Sequence, residues 1–107
     1  MASGRLYTPA QLGTSNTTIY QVPSGNYAVF NVSLTNTTTS AVTIKLALAS
    51  TSSPGTAEWI EYDTTIIPKG VFERTGLVAG PGLYVVATAS SGAAVNATVY
   101  GIETSTS

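Results

Sequence analysis

The chain has 107 residues, room for one domain and one core, and 43% of them are hydrophobic. Four basic and five acidic residues leave a net charge of −1, so nothing in the balance favours nucleic acid or an anionic membrane. Cysteine and histidine are both absent, which removes disulfides, thiolate metal sites and the commonest general base.

Charged residues make up 8% of the chain, against about 25% in an ordinary soluble domain. Ser, Thr and Asn supply the polarity instead. Abundant β-branched residues with so little charge argue against disorder and point to a surface that is covered in an assembly. The start, MASGRLYTPAQLG, lacks an apolar signal core, and no apolar run nears the roughly 18 residues of a membrane span. The expectation is a protein made in the cytoplasm and not exported by the usual route. The N-x-S/T triplets at Asn16, Asn31, Asn36 and Asn96 are then by-products of composition rather than glycosylation sites.

Taken in order, residues 1–16 hold few apolar side chains and read as an N-terminal arm, either frayed or laid on a neighbouring subunit. A short strand, TTIYQV (17–22), is stopped by the turn Pro23-Ser24-Gly25-Asn26. Residues 27–35 alternate, with Ala28, Phe30, Val32 and Leu34 inward and Tyr27, Val29, Asn31, Ser33 and Thr35 outward. After NTTTS (36–40), residues 41–49 alternate again, with Val42, Ile44, Leu46 and Leu48 inward and Lys45 outward. The short polar connection predicts that these two strands form a hairpin. STSSPGTA (50–57) is the longest loop.

Six of the nine charged residues fall in EWIEYDTTIIPKGVFERTG (58–76), with the single tryptophan. This reads as strand, turn, strand. Ile60, Tyr62, Thr64 and Ile66 share one face, and Trp59, Glu61, Asp63 and Thr65 the other. Pro68 presets one dihedral of the turn and Gly70 is expected to take the positive one. Glu73-Arg74-Thr75-Gly76 should fix the return of the chain, with Arg74 paired to Glu61 or Asp63 on a neighbouring strand. Gly80-Pro81-Gly82 is a further turn, LYVVATA (83–89) a strand, and Val95, Ala97 and Val99 the inner face of the last one. Gly101 marks a bulge or a close backbone approach. Residues 104–107 read as a flexible tail.

No segment has a helical period or a convincing cap. About seven short strands at spacings of roughly ten residues predict an all-β fold, an antiparallel β-sandwich of jelly-roll type over 17–103.

The inventory for chemistry is thin. Lys45 and Lys69 are the available partners for a Ser-Lys arrangement, but one is outward on a strand and one is in a turn. Glu61 and Asp63, two apart on a strand, would lie about 7 Å apart, a separation open to a carboxylate pair but more usual for solvated strand residues. The acidic cluster lacks the glycine-containing loop of a calcium site, and no glycine loop leads into a helix to cradle phosphate. The reading is therefore a protein that is not an enzyme and uses no cofactor or metal. Outward aromatics carry more information. Tyr27, Trp59, Tyr84 and Tyr100 suit a protein interface or a platform for sugar rings.

Several motifs together resemble a group of small virion proteins of tailed bacteriophages, of the decoration and tail-fibre kind. They are LYT near the start, TTIYQVPSG, VTIKLALA, EWIEYDTTIIPKGVFERTGLV and VYGIE. In that group a TVP-G turn precedes an N-V-x-L strand, Y-I-E-Y-D leads through I-P-x-G into E-R-T-G-L, and the chain closes near V-x-G-I-E. The matching positions here are 21–25, 31–34, 59–63, 67–70, 73–77 and 99–103, with Trp59 standing where Tyr or Phe is expected. The resemblance implies a non-enzymatic structural protein of the virion, made in the host bacterium. It further implies a homo-oligomer, most simply a trimer, that decorates the capsid exterior. Tail, collar or fibre placement and a carbohydrate-binding adhesion module are the alternatives. Its expected partners are copies of itself, capsid or tail proteins and a surface glycan. Its interface residues are expected to be Trp59, Glu61, Asp63, Arg74, Tyr84 and Tyr100.

Overall fold

A computed structural model describes residues 3–6, 10–92 and 94–105. The strands are β1 (Ser3–Arg5), β2 (Ala10–Gln11), β3 (Thr17–Gln21), β4 (Asn26–Asn36), β5 (Val42–Ala49), β6 (Trp59–Ile66), β7 (Val71–Ala79), β8 (Tyr84–Ala89) and β9 (Val95–Ser105). One 3-10 turn, Thr56–Glu58, precedes β6. The first sheet has the order β1-β9-β4-β7, with β2 also on β9, and the second has β3-β8-β5-β6. All pairings are antiparallel.

The pairs β2–β9, β3–β8, β4–β7 and β5–β6 are nested. The chain is in effect one long hairpin, tipped by the β5–β6 loop and rolled so that successive pairs fall in opposite sheets. That is the jelly-roll arrangement, a β-sandwich of about eight strands when β1 and β2 are taken as one interrupted edge strand. From β2 onward every connection crosses between sheets except the one from β5 to β6. The hairpin expected between 27–35 and 41–49 is therefore not formed. β4 and β5 lie in opposite sheets, and the expected strands β6 and β7, on either side of the expected turn at 67–70, also part into opposite sheets. Both partners of each connection are apolar on one face, and crossing lets those faces meet in a shared core.

Alternation predicted the inner face of the first sheet well. Ala28, Phe30, Val32 and Leu34 of β4 and Val95, Ala97 and Val99 of β9 are buried, and Ile44, Leu46, Val85 and Ala87 meet them from the second sheet. Tyr20 stands edge-on to Phe30, ring centroids 5.6 Å apart. Gly101 lies opposite Phe30. A Cβ there would come within 2.2 Å of the Val29 carbonyl oxygen and 2.6 Å of the Phe30 Cα, so the expected close approach is what this glycine serves.

The stretch read as an arm contributes β1 and β2 to the edge of β9, and Leu12 enters the core. Residues 1–2 and 7–9, and with them part of the LYT motif, lie outside the described residues. At the other end β9 continues through Thr104 and Ser105, inside the expected tail, and 106–107 lie outside the described residues.

Three polar clasps join the layers. Asn36, fully buried, donates its side-chain amide to the carbonyls of Ser40 at 2.8 Å and of Ile66 and Ile67 at 3.2 Å. Its oxygen accepts from the Thr38 amide at 3.0 Å and hydroxyl at 2.7 Å. This ties the β4–β5 and β6–β7 crossings together. In the 67–70 turn Lys69, not Gly70, takes the positive φ of 58°. Gly70 is required for space, because a Cβ would meet Ile67 Cγ1 at 2.5 Å. The second clasp is the buried Tyr20 hydroxyl of β3, which donates to the Glu103 carboxylate of β9. Burial comes first and the Glu103 bond second in pushing the Tyr20 phenol well above its ordinary value. The third clasp joins Arg74 and Glu61 at the open edge of the sandwich.

Candidate functional site

β6 does not keep the simple alternation. Ile44 lies opposite Thr64, Leu46 opposite Glu61 and Ala47 opposite Trp59. Two extra residues are thus accommodated on β6, one at Tyr62–Asp63 and one at Ile60. Asp63 has φ 55°, a conformation Asp tolerates better than most side chains. Cross-strand partners share a face, so the bulges turn Glu61 inward beside Leu46 and release Tyr62 and Asp63 outward, both opposite Lys45. Tyr62 is 61% exposed. This reverses the predicted placement of Tyr62 inside and Glu61 outside. It also separates Glu61 from Asp63, so they do not form a same-face carboxylate pair.

The inward Glu61 meets Arg74. Arg74 of β7 lies opposite Val32 and so faces inward on the first sheet. Its guanidinium donates to Glu61, which also accepts from the Thr64 hydroxyl at 2.9 Å. Of the two partners expected for Arg74, Glu61 and Asp63, it is Glu61 that binds, and the bond spans the two sheets rather than neighbouring strands. The 73–76 segment is not a turn. It lies within β7, where Gly76 takes φ 70° at a bulge and donates its amide to the Asn31 side chain at 3.0 Å. Bulges on both β6 and β7 blunt the two adjacent open edges against further strand pairing.

The outer face of the second sheet carries two hollows. One, about 380 Å³, is lined by Thr56, Trp59 and Tyr62. The other, about 290 Å³, is lined by Thr14, Thr43, Lys45, Asp63, Thr88, Ala89 and Ser90. Between them Lys45 sits 4.5 Å from the Tyr62 ring centroid and 3.9 Å from an Asp63 oxygen. Trp59 and Tyr62 meet edge to face at 6.0 Å. The preceding loop is shaped by Glu58, whose carboxylate accepts from the Gly55 amide at 2.8 Å and the Ser50 amide at 3.1 Å. Those backbone donors hold it below the usual carboxylate range.

The outer face of the first sheet differs. Val29 lies opposite both Val78 and Ile102, and the three are 41%, 61% and 46% exposed. With Tyr27 they form an apolar row across three strands. Tyr100 is on this face too, its hydroxyl donating to Glu73 at 2.8 Å, a bond that raises the phenol above its ordinary value.

The six residues expected at an interface are therefore distributed over three places. Trp59, Asp63 and Tyr84 are on the outer face of the second sheet, Tyr84 opposite Ala49. Glu61 and Arg74 are at the open edge, and Tyr100 is on the first sheet. Tyr62 and Lys45 belong with the first group and were not chosen from the sequence. The aspartate following Tyr62 was the local signal for a bulge. Lys69 donates its ammonium to the Thr37 carbonyl at 3.1 Å. Among the described residues no three carboxylates gather to hold a metal ion, and no helix is long and apolar enough to cross a membrane.

No protein-family description matches the sequence, and no curated protein matches it. Among solved structures, the chain is similar to one from the acid-stable capsid structure of Helicobacter pylori bacteriophage KHP30. The TM-score is 0.51 and the identity 16%, over 95% of this chain and 90% of that one. The likeness is one of fold, and the two chains are closely matched in length.

Proposed function

We propose that the protein is a non-enzymatic structural component of a bacteriophage virion, a decoration protein that sits on the capsid exterior as a homo-oligomer, most simply a trimer. The observation that carries this reading is the whole-chain likeness to a chain of a phage capsid structure of nearly the same length. A domain of this size, with sparse charge and an apolar row on one sheet face, is suited to being added to a particle. The row Val78–Val29–Ile102 with Tyr27 supplies apolar area for contact with the capsid or with other copies. A credible contact would bury about 1,000 Å² or more. Trp59, Glu61, Asp63, Arg74, Tyr84 and Tyr100 are spread too widely for one contact, so different copies would use different subsets.

Light scattering at micromolar concentration should report more than one chain, and labelled antibody on intact virions should mark the head in electron micrographs. Label on the tail or collar would move the protein to an appendage. A strict monomer that also fails to bind purified capsids would overturn the reading.

A further inference from the structure

We infer that the outer face of the second sheet is a binding site for neutral oligosaccharide, with one sugar ring on Tyr62 and Trp59 and the next over Lys45 and Asp63. This goes beyond a structural role on the particle and does not depend on it. Four features converge on that chemistry. Tyr62 presents an exposed ring beside Trp59, with Lys45 over one face, and the other face of a ring of this kind accepts the apolar C–H face of a pyranose as it accepts other apolar surface. Lys45 of one hollow meets Tyr62 of the other, and the two measure about 290 and 380 Å³.

The second hollow is lined with groups that match sugar hydroxyls. The Ser90 oxygen accepts the Thr43 amide at 3.1 Å and keeps its own proton to donate, while the Thr43 hydroxyl faces the hollow beside it. Lys45 donates and Asp63 accepts from positions 3.9 Å apart, a spacing suited to adjacent hydroxyls. The two charges cancel, so the site favours neutral sugars over acidic ones. The bulge at Asp63 produces the arrangement, because without it Tyr62 would point into the core.

The other outer face is distinguished by the apolar row of Val78, Val29 and Ile102, which suits protein contact. Bulges that re-aim side chains are a recurring device at binding sites, and here the bulge joins the aromatic and polar hollows into one surface.

The test uses the full chain with maltohexaose, cellopentaose, mannopentaose and a β-1,4-galactan pentaose as probes. Trp59 is the single tryptophan, so its fluorescence reports directly from the first hollow. Saturation-transfer NMR on the same mixtures would show which sugar protons touch the protein. At least one probe should bind saturably, and Tyr62→Ala should weaken it by about tenfold or more. Asp63→Asn, which keeps a side chain tolerant of the bulge, should weaken it as well. Val78→Ser, on the other face, should leave it unchanged. Circular dichroism of each variant separates loss of binding from loss of fold. The inference fails if none of the probes binds, or if a folded Tyr62→Ala variant binds like the parent. The virion assignment would stand in either case, because its own test reads the location of the protein and not its ligand.

Discussion

Along β4 and β9, eleven consecutive residue pairs hold one register, whereas along β5 and β6 the register slips twice within five pairs. The first run builds a flat, regular face with an apolar row. The second builds a face with hollows, an exposed aromatic pair and a charged pair. Both sheets bury the same kind of inner surface, so core packing does not require the difference. Regular pairing fixes which side chains are buried, and broken pairing decides which are offered outward.

The largest loss is expected at Gly101, on the regular side. Gly101→Val would drive a side chain into the β4 backbone and should cost more than about 4 kcal/mol, enough to prevent cooperative folding; urea unfolding followed by circular dichroism would show it. Asn36→Ala comes next. It removes five hydrogen bonds of the buried amide, and leaving their partners unmet should cost about 3 kcal/mol. At about 4–8 °C per kcal/mol for a domain of this size, calorimetry should find a fall of more than ten degrees.

Tyr20→Phe should cost less, about 2 kcal/mol, because it leaves a single nearly buried carboxylate without its donor. It also carries a pH signature. The folded state holds the Tyr20 phenol above its unfolded value. That contribution is therefore complete below about pH 10 and is lost as the pH rises beyond it. The parent should lose stability above about pH 10, and Tyr20→Phe should reduce that loss; thermal melts across an alkaline series would compare them.

The smallest expected effect lies on the bulged edge. Arg74 and Glu61 are 39% and 20% exposed at their side chains, so Arg74→Ala should cost about 1 kcal/mol in the separate chain. If the edge is covered in an assembly, the cost there rises to several kcal/mol. Melting the variant free and on the particle shows whether the edge is free or covered.

The same division explains what was legible in the sequence. β4, β5 and β9 could be read from alternation because the extra residues at the bulges fall on β7 and β6, so Phe30, Ile44 and Val99 keep a step of two along their own strands. β6 could not, because alternation assumes one residue per step, and an extra residue at Tyr62–Asp63 inverts the faces before and after it. The turn at 67–70 was legible from Pro68 and Gly70, yet the residue with positive φ is Lys69, since Gly70 is needed for the approach of Ile67. Pairing between sheets was least legible. Whether β4 and β5 pair or cross depends on apolar faces meeting across the core, and NTTTS does not encode that locally. The Arg74–Glu61 bond was anticipated from the scarcity of charge, although its route across the sheets was not.

The nesting of the strands also sets an order on synthesis. β9 is made after β1 to β8, yet it lies between β4 and the β1/β2 edge in the first sheet. Until it leaves the ribosome, β4 has an open flank, Glu103 is missing from Tyr20, and β1 and β2 have nothing to pair with. The domain cannot fold outward from its beginning as a row of local hairpins would. The contacts that close it are distant in sequence, which makes folding slow compared with that of helical proteins of like size. Chains arrested before Val95 should remain open to protease, and release of β9 should bring resistance in a single step.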